Sequence, residues 1–517
     1  MTELVLEHAA LQLRENDDVA VAKKTLKAGV QLRHGGQALT VASTIPAGHK
    51  LALKDVASGT PVRKYGQIIG FASRPIQPGE HVHTHNLEML DFERRYEIGG
   101  SQAPVHYYPA EAMRHFEGFA RPQGRVGTRN YVAIISSVNC SASVSHYIAD
   151  RFNDDDWRRQ FPHVDGVVAF THKSGCAIQP GEPHAVLQRV LAGLARHPNI
   201  GGYVLIGLGC EVAQVHLLVE QFGLDKVRPG ETAPTFMTIQ NQGGVRKSVE
   251  AGAAAVAKLL PAVNEGRRSR QPISKLILAE NCGGSDGNSG ITANPALGVA
   301  SDELVRYGGT SVLAETPEIY GAEHLLVRRA VNRAVGEKLI ELIRWWENHA
   351  REHHATIDNN PSYGNREGGL TTIYEKSLGA VAKGGQSPLN AVYRYAEPIV
   401  GPGLCFMDTP GFDPVSMTGL VCGGCTVGVF TTGRGSVYGC KPAPCIKVAT
   451  NTALYDWMTD DMDLNAGTIL DGTETVEQVG HRIFEKIIAV AGGEKTKSEL
   501  AGIGDEEFAP WILGPTF

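Results

Sequence analysis

The chain has 517 residues, is 42% hydrophobic and carries a formal charge of −6 with acidic and basic residues interspersed. That length holds roughly two to four domains, and the charge pattern gives no basic footprint for nucleic acid or an anionic membrane. No apolar run approaches the roughly 18 residues of a membrane span, and residues 1–14 lack a basic and then apolar leader, so a soluble, cytoplasmic protein is expected. Nine cysteines, an odd number spread along the chain, argue for reduced thiols, some of them metal ligands, over a disulfide framework.

Residues 12–90 read as a small β module. Short extended segments such as VAVAKKTL, ALTVASTI and PVRKYGQIIGFA are punctuated by turns at Pro46-Ala47-Gly48 and Gln77-Pro78-Gly79. The module ends in HVHTHN, where His81, His83 and His85 alternate. On a strand all three would share one face and could bind metal or a sugar acid, or form a solvated edge. Periodicity then fades, so the division expected is 1–91 for the module and 92–120 for a linker or wrapping segment.

From about residue 121, apolar runs alternate with helical patterns over 143–152, 184–197, 211–222, 245–260 and 322–349, which predicts a mostly parallel sheet with helical crossovers. The polar stretch 261–272 (PAVNEGRRSRQP) is the expected boundary between one α/β domain over 121–262 and a second over 263–517. Residues 359–369 (NNPSYGNREGG) are expected to form a lid or binding loop. Trp345 and Trp346 are expected to pack on the long helix.

Four apolar runs each deliver a cysteine: Cys140, Cys176, Cys210 and Cys282. Ligands of open α/β sheets bind outside the carboxyl ends of strands, so these loops are expected to converge on one site. A lone buried cysteine is ordinarily a small hydrophobe. Four at equivalent positions, with His172, Glu211 and Asp286 beside them, could ligate iron or another transition metal. The glycines of CGGSD (282–286) expose backbone N–H groups next to Ser285 and Asp286. Glu315 follows a further run, and Thr432-Gly433-Arg434 another, setting a guanidinium where it could clamp a carboxylate. Cys422 and Cys425 form a local C-x-x-C without a second pair, which reads as structural. No phosphate-loop or dinucleotide motif is complete.

Taken together, VGTRN (126–130), SVNC (137–140), THKSGC (171–176), IGLGCE (206–211), CGGSDGNSGITANPALG (282–298), AETPE (314–318), KSLG (376–379) and TTGRG (431–435) resemble the altronate/galactarate dehydratase family, in order along nearly the whole chain. The resemblance implies an α/β protein: a small N-terminal SAF domain of β-clip fold, then a large Rossmann-variant catalytic region that forms a homodimer. It also implies an iron-dependent hydro-lyase that removes water between C2 and C3 of a small-molecule sugar acid, giving a 2-keto-3-deoxy acid. Ferrous iron, or another divalent metal, would sit near Cys140, Cys176, Cys210 and Cys282. His172, Glu211 and Glu315 would serve as base or acid and Arg434 would hold the carboxylate, while Ser285, Asp286, Thr432, Gly433, His83 and His85 would contact substrate. GEHVHTHN (79–86) resembles the altronate side of the family, so D-altronate is the expected substrate. Galactarate and a sulfolactate-type hydroxy acid are the alternatives, and a non-catalytic carbohydrate- or metal-binding protein is the alternative of a different class.

Overall fold

The computed structural model describes residues 4–516 other than Asn153, Pro229 and Pro515. The N-terminal module folds as three small sheets. One is four-stranded, running Ala10–Leu11, Val19–Ala22, Lys50–Ala52, His81–Val82 across the sheet. Its strands are short because a turn glycine or proline interrupts every few residues.

Two parallel sheets follow, each covered by helices. The first has the spatial order Gly166–Phe170, Tyr131–Ser136, Ile200–Gly207, Thr235–Thr238. The second has seven strands in the order Leu389–Tyr393, Gly403–Met407, Thr310–Leu313, Ile277–Cys282, Val427–Thr432, Cys445–Ala449, Leu464–Asn465, all parallel. Their central strands are buried end to end, which is why they read as unbroken apolar runs. In both sheets the chain leaves a central strand to one side and later returns to its other side. Such a reversal opens a crevice at the carboxyl ends of the two neighbouring strands. In the first sheet these are the ends of Tyr131–Ser136 and Ile200–Gly207, and in the second those of Ile277–Cys282 and Val427–Thr432.

Three expectations change. The helical pattern expected to stop at 260 runs on: the helix Val245–Glu265 continues through Pro261, and Arg268–Pro272 is a strand. Proline forfeits one hydrogen bond there, but Val256, Leu259, Leu260 and Val263 bury the helix face against the first sheet and outweigh it. The segment expected as a linker or wrapping segment ends in the strand His115–Ala120, which pairs antiparallel with Arg268–Pro272. Its earlier part wraps the third domain, with Arg94 donating to Glu347 at 2.7 Å and Tyr96 to Glu323 at 2.7 Å. The long helix is two, Glu323–Val327 and Arg333–Glu352, because Asn332 caps the second. Trp346 packs as expected and donates to Asp408 at 2.8 Å.

The N-terminal module is seated on the last domain. One apolar cluster runs from Val62, Ile69 and Val82 into Ile373, Tyr374, Leu404 and Phe406. Beside it Glu375 accepts from Lys50 at 2.8 Å and Lys64 at 3.0 Å, all three side chains being 1% exposed or less. Burial alone would raise the Glu375 carboxyl, yet the two lysines outweigh it and hold the group well below the carboxylate range. The backbones also touch: a side chain at Gly287 or Gly369 would strike the Gly48 carbonyl. Glu375→Ala leaves two buried lysines without a counter-charge and should cost about 3–5 kcal/mol, read as an earlier denaturation midpoint in urea. An unchanged midpoint would show that these ions do not hold the module down.

Candidate functional site

The crevice of the seven-stranded sheet is built from two stitched loops. Gly433 and Arg434 donate their N–H groups to the Gly284 carbonyl at 3.0 and 2.8 Å, and Gly283 donates to Thr431 at 3.2 Å. Gly284, at φ +58, is in the left-handed region that glycine tolerates. Asp286 is buried, and its carboxylate accepts from Ser289 at 2.9 Å, Thr450 at 3.0 Å and Asn288 at 3.1 Å. With its lone pairs so engaged, Asp286 fixes the loop's shape. The Ser285 hydroxyl beside it is buried with no partner among the described residues. Thr432 accepts from the Gly435 N–H at 3.0 Å, and Gly433 lies flat against Asp286, where a side chain would collide. Arg434 is half-exposed over this floor, 3.3 Å from Glu367.

Above Arg434 the N-terminal module contributes histidines. The histidine run does not lie on one strand: the strand stops at Val82, and 83–86 form a turn. The rings still gather, because the turn folds back, setting His81 and His83 stacked with centroids 5.3 Å apart. The sequence reading missed His49, whose ring lies 5.0 Å from that of His83. Its Nδ1 is 3.0 Å from His81 Nε2, and its Nε2 is 2.9 Å from the Glu367 carbonyl. His85 is exposed and its ring touches that of His81.

His49, His81 and His83 each offer a ring nitrogen within 4.8 Å of the others. Two nitrogens about 3 Å apart match neighbouring ligands each about 2.1 Å from one ion, and His83 Nδ1 is buried without a partner. Burial and nearby charge lower His81 to about 4 and His83 to about 3, so both are neutral, the ligating form, at physiological pH. The trio therefore fits a metal that favours imidazole, such as iron, zinc or nickel.

At the other end of the CGGSD loop, Cys282 is buried among Glu315, Glu318 and Lys383. Lys383 lies 2.9 Å from the sulfur and 3.0 Å from Glu315, and Lys376 pairs with Glu318 at 2.5 Å. Although Cys282, Glu315 and Glu318 could hold an ion by spacing alone, the Lys383 ammonium already fills that role. Burial would lower Lys383, but Cys282, Glu315 and Glu318 outweigh it and raise it. Burial pushes the Cys282 thiol up to about 12. Burial and the Glu318 charge raise Glu315 above the ordinary carboxylate range, and its Oε1 has no partner. Glu315 also sits at φ +69, a left-handed conformation costly for a residue with a side chain. The two lysines were not singled out in sequence, although Lys376 opens the KSLG motif.

The four cysteines do not meet. Cys140, Cys176 and Cys210 are exposed at the crevice of the first sheet, while Cys282 is buried in the other. The division has a topological cause: the fourth strand end belongs to the second sheet, a separate layer. His172 and Glu211 go with the three exposed thiols, and both are engaged. His172 contacts the Ser136 carbonyl at 3.1 Å and accepts from the Ser174 N–H at 3.2 Å. Glu211 accepts from Ser137 at 2.9 Å, Leu208 at 3.1 Å and Gly209 at 2.6 Å.

Three family models cover the chain in sequence: an altronate/galactarate dehydratase SAF domain over 8–90, a D-galactarate dehydratase/altronate hydrolase second domain over 118–264, and a D-galactarate/altronate dehydratase C-terminal region over 273–516. The chain is 34% identical to an altronate dehydratase of Bacillus subtilis and 37% identical to one of Escherichia coli, each over 95% of this chain and 96% of the relative. It is 38% identical to a galactarate dehydratase (L-threo-forming) of Escherichia coli over 96% of this chain and 95% of the relative. Relatives of this kind, matched over nearly the whole chain, define a sugar-acid dehydratase, a carbon–oxygen lyase. The chain belongs to the altronate/galactarate dehydratase family.

Removing one imidazole should break the metal trio. In calorimetric titrations with Ni2+, a probe that favours imidazole, His49→Ala and His83→Ala should each lose the tight binding step, and His85→Ala should keep it. An equal loss in all three would place the site elsewhere.

Proposed function

We propose that the chain dehydrates D-altronate, at the crevice where Arg434 and the histidine trio face one another. The observation that carries this reading is that Glu367 joins them: its carboxylate lies beside Arg434 and its carbonyl beside His49. A sugar acid held by its carboxylate at Arg434 would lie under the trio, with the Ser285 hydroxyl available to one of its oxygens. His83 and His85 border the same opening. Iron is the metal this reading assigns to His49, His81 and His83. When bound it would supply positive charge for the enediolate that forms next to the carboxylate.

Dehydration breaks a C–H bond at C2 and a C–O bond at C3. Glu315, raised and with a free oxygen, is the chain's best group to take the C2 proton, and Lys383 steadies its other oxygen. The hydroxyl leaves C3 with a proton returned by the same carboxyl, as water. The remaining enol then becomes the 2-keto-3-deoxy acid. Neutral Glu315 favours the second half of this cycle and ionised Glu315 the first, so the neighbouring cations Lys376 and Lys383 matter to both.

Galactarate is the second reading, favoured by the 38% identity with the galactarate dehydratase. Its two terminal carboxylates would need a second cation, whereas altronate needs only Arg434. Anaerobic protein supplied with ferrous iron should convert altronate to a 2-keto acid faster than galactarate, scored by chemical trapping of the keto group. Turnover of neither would remove the reading. Arg434→Ala should lower kcat/KM for the preferred acid by roughly 10- to 150-fold, about 1.5–3 kcal/mol for a hydrogen bond to a charged group. Wild-type kinetics in that variant would take Arg434 out of the site.

A further inference from the structure

The crevice of the first sheet is unused by the reaction proposed above. Cys140, Cys176 and Cys210 follow three adjacent parallel strands, and all three are exposed, although free cysteine is among the most buried of residues. The remaining six cysteines are buried. Cys176, Cys210 and Glu211 all lie close enough to Cys140 to act on its thiol. Backbone bonds tie the three loops together: Asn139 N–H to the Ser174 carbonyl at 2.9 Å, Val212 N–H to Cys176 at 3.1 Å and Ala213 N–H to Gly175 at 3.2 Å. The thiols are thus held in place before any ligand arrives.

The donors beside them narrow the ligand. Both nitrogens of His172 and both oxygens of Glu211 are engaged within the protein, which leaves the three sulfurs as the strong metal donors of this group. Three thiolates select zinc, copper(I) or iron–sulfur chemistry. A single tetrahedral ion about 2.3 Å from each sulfur would draw the three sulfurs to within about 4 Å of one another. Among the described residues the ligand groups that close within 4.8 Å are the histidine trio and the Cys282 group, and these three thiols are not one of them. A polynuclear centre, with each thiolate on a different metal atom, suits the wider set.

We infer that Cys140, Cys176 and Cys210 hold an iron–sulfur cluster with three protein ligands, at the crevice of the first sheet and separate from the histidine trio. The crevice is open, so the cluster keeps one metal atom without a protein ligand and accessible from solvent. The inference goes beyond the dehydratase reading and does not depend on which acid is turned over.

Full-length protein, its thiols reduced, incubated anaerobically with ferric iron and sulfide and then desalted, should retain iron and acid-labile sulfide in equal amounts. It should show a broad visible absorption that dithionite bleaches. Serine at Cys140, Cys176 or Cys210 should remove most of the sulfide and the absorption, with circular dichroism unchanged because these side chains are exposed. His49→Ala and Cys405→Ser should retain both, which separates this site from the proposed catalytic one. Zinc bound without sulfide, or sulfide retained in the three serine variants, would overturn the inference whatever the protein does to altronate.

Discussion

The buried Glu375 carboxylate between Lys50 and Lys64 is the constraint on which the site depends. Those lysines belong to the N-terminal module and the carboxylate to the last domain, so the pair fixes one surface against the other. A buried ion pair is a weak source of net stability, but breaking it is costly, and that asymmetry is what holds a register. His49 precedes Lys50 by one residue. Whatever positions Lys50 on Glu375 therefore positions His49 over the crevice, and the Gly48, Gly287 and Gly369 contacts let the backbones come close enough. The N-terminal module is thereby a wall of the site, contributing imidazoles that the sheet lacks.

The chain then uses one device twice. Each sheet reverses its strand order once, and each reversal leaves a crevice lined by the loops of neighbouring strand ends. The two crevices are furnished differently. The seven-stranded sheet offers an arginine, a free serine hydroxyl, two lysines and raised carboxylates, suited to binding an acid and moving protons. The four-stranded sheet offers three thiols, suited to a soft metal centre. Within the first of these, Asp286 and Glu315 have opposite fates: Asp286 spends its acceptors on its own loop, whereas one oxygen of Glu315 has no partner among the described residues.

Much of this was legible in the sequence. Apolar runs ending in small polar residues announced parallel strands and their carboxyl ends, and Ser285, Thr432, Gly433 and Arg434 do share one crevice. Partition of those strands between two sheets was not legible, since all of the runs look alike and nothing local says which sheet a strand joins. That is why Cys282 was grouped with the three thiols it does not meet. His49 was hidden because its role comes from a docking contact more than 300 residues away in sequence, and no period or spacing carries that. Lys376 and Lys383 were overlooked for a related reason: a lysine in a helical pattern reads as a solvated face, and only tertiary packing buries it. Pro261 reads locally as a helix end, yet the helix continues to Glu265 because one face of it is buried.

The central claim is that substrate is held between the N-terminal histidines and the crevice of the seven-stranded sheet. A crystal of the iron-loaded protein with a non-reacting sugar acid, measured at the iron absorption edge, tests it most directly. The account predicts an anomalous peak bounded by His49, His81 and His83, and a sugar carboxylate paired with Arg434. A sugar acid seated against the three thiols of the first sheet, with Arg434 unoccupied and no peak at the histidines, would contradict it.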